Sequence, residues 1–102
     1  MIVLDRAHFD HMTGADMALQ AEVIGLFKGQ VEGWRAALAG AEWRTAVHSI
    51  KGAARGIGLM RLAAACETAE TSKALAPVRT ALIEALDALD QLAADASAGF
   101  SR

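Results

Sequence analysis

Residues 43–58 read WRTAVHSIKGAARGIG, and the fold of the chain follows from how this stretch sits on a helix. Trp43, Ala46, Val47, Ile50, Ala53, Ala54 and Ile57 recur mostly at intervals of three and four, which draws one apolar stripe along a helix. At about 100° per residue they gather within roughly 60° of one direction, the expected core side. His48 then points roughly 160° away from that direction. Ala41, Thr45, Gly52 and Arg55 share its outward face, with Arg44, Lys51 and Gly56 on the flanks. A core does not need a mid-helix histidine turned to water, with a lysine one turn on and a glycine beside it.

Upstream of this helix, Gly40 marks a break short enough to make the neighbouring helix antiparallel. That neighbour is expected over about residues 15–39, with Ile24, Phe27, Val31, Trp34 and Leu38 as its core stripe. Gly25, Gly29 and Gly33 recur every four residues on its other side. Each interior glycine costs about 0.5–1 kcal/mol relative to alanine. The row reads either as a poorly optimised exposed face or as a close-packing surface of the kind known between membrane helices. Further back, Asp5 can cap a short helix over about 6–12 on which Phe9 and Met12 share a face, ended by Thr13 and Gly14.

Downstream, Gly58 ends the organising helix, expected over about 41–57, because glycine adopts left-handed dihedrals freely. A helix over about 59–72 follows, with Leu59, Leu62, Ala63, Cys66 and Ala69 facing the core. Pro77 suits the first turn of a last helix over about 77–95, where its missing amide hydrogen is not needed. Val78, Leu82, Ala85, Leu89 and Leu92 form its stripe, and the AGFSR tail is expected to fray. The expected fold is all-α: one domain over 1–102, an antiparallel up-down-up-down four-helix bundle with a short extra N-terminal helix.

Bulk composition agrees and narrows the function classes. Aromatic residues make up 5% of the 102 residues and tyrosine is absent, while alanine and leucine favour helix. A formal charge of −2 argues against a nucleic-acid binder, which would carry a basic face. The single cysteine, Cys66, excludes an internal disulfide and fits a reducing cytoplasm. No apolar run approaches the ~20 residues of a membrane span, and MIVLDRAHFD lacks the features of a signal peptide.

Among reactive side chains, His8 and His11 lie at i, i+3 and could hold two corners of a metal site, but no third ligand accompanies them. Cys66 falls on a core stripe, where it acts as a small hydrophobe. No nucleophile–base spacing and no glycine-rich phosphate loop after a strand occurs, so no ATP-binding motif is present. His48 stands apart. An imidazole is largely unprotonated and nucleophilic at neutral pH. Lys51 could steady the oxygens of an arriving phosphoryl group, and Gly52 leaves the adjacent surface clear for a partner. The combination suits group transfer to an exposed side chain.

These residues resemble a known signature. His48-Ser49-Ile50-Lys51-Gly52-Ala53-Ala54 followed by Gly58 is similar to the H-x-L-K-G-[SA]-[SA]-x-x-x-G motif of histidine phosphotransfer (HPt) domains, with Ile50 in place of the usual leucine. The MTGAD opening, the long second helix, AEWRTAVHSIKG and RLAAACETAE also look like that family, so the likeness covers nearly the whole chain. It implies a cytoplasmic, monomeric phosphorelay intermediate without kinase activity or a cofactor of its own. By that resemblance His48 becomes phosphohistidine at Nε2, taking the group from the aspartyl phosphate of one receiver domain and passing it to another. The receiver would supply Mg²⁺. Lys51 carries over as the phosphoryl-stabilising cation and Gly52 as the residue giving access, with Arg44, Thr45, Arg55 and Gly56 around them for receiver docking. Many members place a polar residue, often glutamine, beside the imidazole. The antiparallel level of His48 falls near Thr68 to Ser72, which offers Glu70, Thr71 or Ser72 instead. The rival readings are a structural bundle in which His48 is incidental, and a docking bundle that binds signalling partners without carrying phosphate.

Overall fold

The computed structural model describes the backbone of residues 1–100 and the side chains of residues 1–95. Its elements are α1 (Arg6–Thr13), α2 (Met17–Leu38), α3 (Trp43–Ile57), α4 (Met60–Ser72) and α5 (Ala76–Phe100). Helices α2 to α5 pack in sequence, α3 on α2, α4 on α3 and α5 on α4, and α5 closes the ring against α2. Among the described residues, no helix is long and apolar enough to cross a membrane.

Local chemistry sets the ends. Asp5 and Asp16 cap α1 and α2 by accepting from the amides of His8 and Leu19, each at 3.1 Å, which satisfies donors that a helix start leaves free. Because Asp16 is the cap and Ala15 has a positive φ, α2 begins at Met17 and not near residue 15. Ala41 and Glu42 belong to the turn, and Glu42 makes no side-chain cap bond, so α3 starts at Trp43, where its apolar stripe begins and two residues later than expected. Helix α4 starts at Met60, one residue late, and ends on Lys73 in the left-handed region. Pro77 sits in the first turn of α5 as expected. That helix runs to Phe100, beyond the end anticipated near Asp95, while Ser101 and Arg102 of the tail lie outside the described residues.

The core is the sum of the stripes. Phe27, Val31, Trp34 and Leu38 meet Ala46, Val47, Ile50, Ala54 and Ile57, with Leu59, Leu62, Ala63, Cys66 and Ala69 on one flank and Val78, Leu82, Ala85, Leu89 and Leu92 on the other. Phe27 and Trp34 pack edge to face at 5.3 Å between ring centroids. Four expectations shift. Trp43, Ile24 and Ala53 are only partly buried at the core margin. Trp43 opens its helix at the rim of the bundle, where the Arg44 guanidinium covers its ring at 4.5 Å. On α1 the buried partner of Phe9 is Thr13, whose hydroxyl donates to the Phe9 carbonyl at 2.8 Å, and Met12 is exposed.

The segment before α1 has a role that helical periodicity does not reveal. Leu4 pairs with Leu59 in an isolated antiparallel bridge. The Asp5 amide donates to the Gly58 carbonyl at 2.8 Å, and the Met60 amide to the Val3 carbonyl at 2.9 Å. Arg61 adds a bond to the Met1 carbonyl. The chain start thus straps the turn between α3 and α4, and fixes the lower end of the helix that carries His48.

Candidate functional site

The outward face of α3 carries His48, whose side chain is 79% exposed. Arg44, Thr45, Gly52, Arg55 and Gly56 are exposed around it. A methyl group added at Gly52 or at Gly56 would meet no atom within 4 Å, so the surface beyond the ring is bare. The stripe of α3 dictates this placement. Once Val47, Ile50 and Ala54 enter the core, the residue following Val47 must face water.

Helix α4 runs antiparallel beside this face and supplies two acids. Glu70 accepts from the Lys51 ammonium at 2.5 Å, and its other oxygen lies 3.9 Å from His48 Nδ1. One turn further along, Glu67 faces the Arg55 guanidinium at 3.4 Å. The Lys51 bond, joined by the nearby charges of Lys51, His48 and Arg55, holds the Glu70 carboxyl below its ordinary value of 4.5. Glu70 is therefore an anion at neutral pH. An anion on the Nδ1 side of the ring favours a proton on Nδ1 over one on Nε2. A small hollow is lined by Trp43, Arg44, Val47 and Glu70.

Of the three polar residues offered by the sequence as neighbours of the imidazole, Glu70 is the one beside it. Ser72 is engaged elsewhere, its hydroxyl accepting from the Ala74 amide at 3.1 Å. Lys51 departs from the sequence reading in its surroundings, because its side chain is only 15% exposed and lies against Glu70. Periodicity within one helix cannot reveal such a bond. Its trace in the sequence is a matched ladder, Lys51 and Arg55 at i, i+4 on one helix and Glu67 and Glu70 at i, i+3 on the next. Away from this face, His8 uses Nε2 to reach the Gly56 carbonyl at 3.2 Å. A carbonyl only accepts, so that nitrogen carries the proton. Among the described residues no three histidine, cysteine or acidic side chains gather as a metal site. Cys66 is fully buried, and burial foremost, with the Glu70 charge, pushes its thiol up to about 11, so it is no nucleophile.

A family model described as the Hpt domain matches residues 30–98. No curated protein and no solved structure matches the chain. The match takes in the end of α2, α3 with its whole motif, α4 with both acids and nearly all of α5, and it leaves out the strap, α1 and the first part of α2. By that match and the helical bundle, the chain belongs to the Hpt domain family, the histidine phosphotransfer domains of phosphorelays.

Proposed function

We propose that this protein is a phosphorelay intermediate in which His48 is the phosphoacceptor. The Nε2 lone pair attacks the phosphorus of an aspartyl phosphate on a receiver domain. The P–O bond to the aspartyl carboxylate breaks as the P–N bond forms, and the carboxylate leaves as an anion. Transfer to a second receiver runs the same step in reverse. Mg²⁺ travels with the receiver, where it would offset the charge of the phosphoryl oxygens. Arg44, Thr45, Arg55 and Gly56 form the rim on which the receiver docks, and the protein acts in the cytoplasm as a monomer.

The single observation that carries this reading is the His48 side chain, 79% exposed, with the Glu70 carboxylate 3.9 Å from its Nδ1. In this mechanism Glu70 is a positioning residue. It keeps the proton on Nδ1 and balances the positive charge the ring gains as the P–N bond forms. Lys51 starts on Glu70 and is drawn toward the arriving phosphoryl oxygens, so the carboxylate holds the ammonium ready at the site. Gly52 lets the receiver's loops approach until the reacting atoms are about 3–3.5 Å apart.

The test is incubation with phosphorylated receiver domains and detection of acid-labile, base-stable label. His48→Gln should accept none, while its stability stays within about 0.5 kcal/mol of wild type because the side chain faces solvent. Label entering the glutamine variant at the wild-type rate would exclude His48 as acceptor. A wild-type protein that binds receivers but takes no label would instead be a docking bundle.

A further inference from the structure

Three cations line the α3 face, and they are not equivalent. Lys51 and Arg55 are each answered within the chain, by Glu70 and Glu67. Arg44 lies one turn before His48, on the same side of the helix, and has no carboxylate partner among the described residues. The reason is the length of α4. Running antiparallel to α3, it places Glu67 beside Arg55 and commits Glu70, which shares a hollow with Arg44, to Lys51, and it ends at Ser72 without a further acid for Arg44. What holds Arg44 is the Trp43 ring, over which its guanidinium sits at 4.5 Å. A stacked guanidinium keeps the edges of its plane free to donate, and less of its freedom is lost when it forms a two-pronged bond.

We infer that Arg44, held in place by Trp43, is the specificity contact of the phosphotransfer surface and pairs with a carboxylate on the docking partner. This rests on the phosphotransfer reading and adds to it the chemistry of the partner's contact surface. The partner presents an acidic side chain at its rim, one helical turn from the point where its phosphoryl group meets His48. The charge pattern favours that occupant. The other two cations of the face are already neutralised, so an acidic residue of the partner finds one open cation. A basic residue of the partner would find both acids already paired. Trp43, partly exposed beneath the guanidinium, serves as the platform. This gives a use to the half-buried position that the core leaves to it.

The experiment measures initial rates of His48 labelling against the concentration of a receiver domain phosphorylated by acetyl phosphate. Arg44→Ala should raise the apparent KM about tenfold, the loss of one charge-assisted bond, with the rate at saturation nearly unchanged. Its KM should also depend less steeply on salt between about 50 and about 300 mM. Arg44→Lys, which keeps the charge and loses the planar stack, should fall between the two, and Trp43→Leu should raise KM by a smaller factor. Arg6→Ala, on α1 at the far end of the bundle, removes the same charge and should behave as wild type. The proposal is overturned if Arg44→Ala matches Arg6→Ala. It is equally overturned if the rate at saturation falls while KM holds, since Arg44 would then be gripping the phosphoryl group itself. If wild type takes no label from any phosphorylated receiver, the phosphotransfer reading fails, and this inference fails with it.

Discussion

Gly52 and Gly58 lie six residues apart on the same strand of motif, yet they do opposite things. At Gly58 φ is +96°, and an added Cβ would lie 3.0 Å from the Asp5 carbonyl oxygen and 3.0 Å from the His8 ring. At Gly52 the backbone is helical and an added Cβ would meet nothing within 4 Å. The first glycine is demanded by the molecule's own contacts. The second is tolerated by the molecule at a cost in helix stability, and only something outside the chain can make use of the space. His8 and His48 divide in the same way. His8 spends its Nε2 proton on the Gly56 carbonyl, whereas the His48 side chain is 79% exposed. The lower end of α3 therefore serves the chain's own architecture, and its middle is left open to solvent.

Substitutions can break that contrast. The largest effect is expected from Gly52→Leu, which should slow transfer from a phosphorylated receiver by about 100-fold, the scale of a 1 Å misplacement of reacting atoms. Its melting temperature should equal or exceed that of wild type, since leucine is the better helix former. Normal transfer by this variant would show that the bare surface serves no partner. Next, Gly58→Ala should lose about 2–3 kcal/mol in urea unfolding, from a left-handed dihedral and a crowded Cβ. At temperatures where it remains folded it should still take label, and a stable Gly58→Ala protein would mean that the strap does not grip the turn. A smaller effect tests a third kind of glycine. Gly25, like Gly29 and Gly33, has open space about it, so Gly25→Ala should gain about 0.5–1 kcal/mol without altering transfer; a loss of transfer would place part of the docking surface on α2.

The smallest effect concerns the electrostatics of the site face. Because Glu70 is held below 4.5 in the folded protein, chiefly by Lys51, its bridge contributes stability that is present above 4.5. That contribution is lost as the pH falls through the lower folded value. Glu70→Gln should therefore flatten the decline of the urea midpoint in this acid window, modestly, since the carboxylate end of the pair is exposed to solvent. An unchanged pH profile would mean the bridge adds nothing to folding and serves only to place Lys51.

How much of this could be read from the residues depends on whether the contact lies within one helix or between two. The α3 stripe fixed the orientation of His48 because the helical period alone decides it. The same logic found nearly all of the core of α2, α4 and α5. It placed Trp43 too deep, since a wheel treats the first residue of a helix like any other and takes no account of a rim. It favoured Met12 over Thr13, because a threonine that satisfies its hydroxyl on the preceding turn can be buried as readily as a methionine. The choice among Glu70, Thr71 and Ser72 depended on the rotation of α4 about its axis, which its alanine-rich composition leaves weakly marked. The pairing of Leu4 with Leu59 joins positions far apart in sequence and follows no period.

That strap has a kinetic consequence. The hairpins α2–α3, α3–α4 and α4–α5 close over short separations, whereas the bonds from Val3 and Asp5 to Met60 and Gly58 close nearly the whole intervening chain into one loop, with a correspondingly larger entropic cost. Contacts of that kind form late in folding and reopen first. In hydrogen exchange the amides of Asp5 and Met60 should therefore behave as one cooperative unit, opening well before the amides of Ile50 and Ala54. The helix that carries His48 would then have a loosely latched lower end on an otherwise rigid shaft, so that fluctuations of the chain start reach its outward face through Gly56 without disturbing the bundle core.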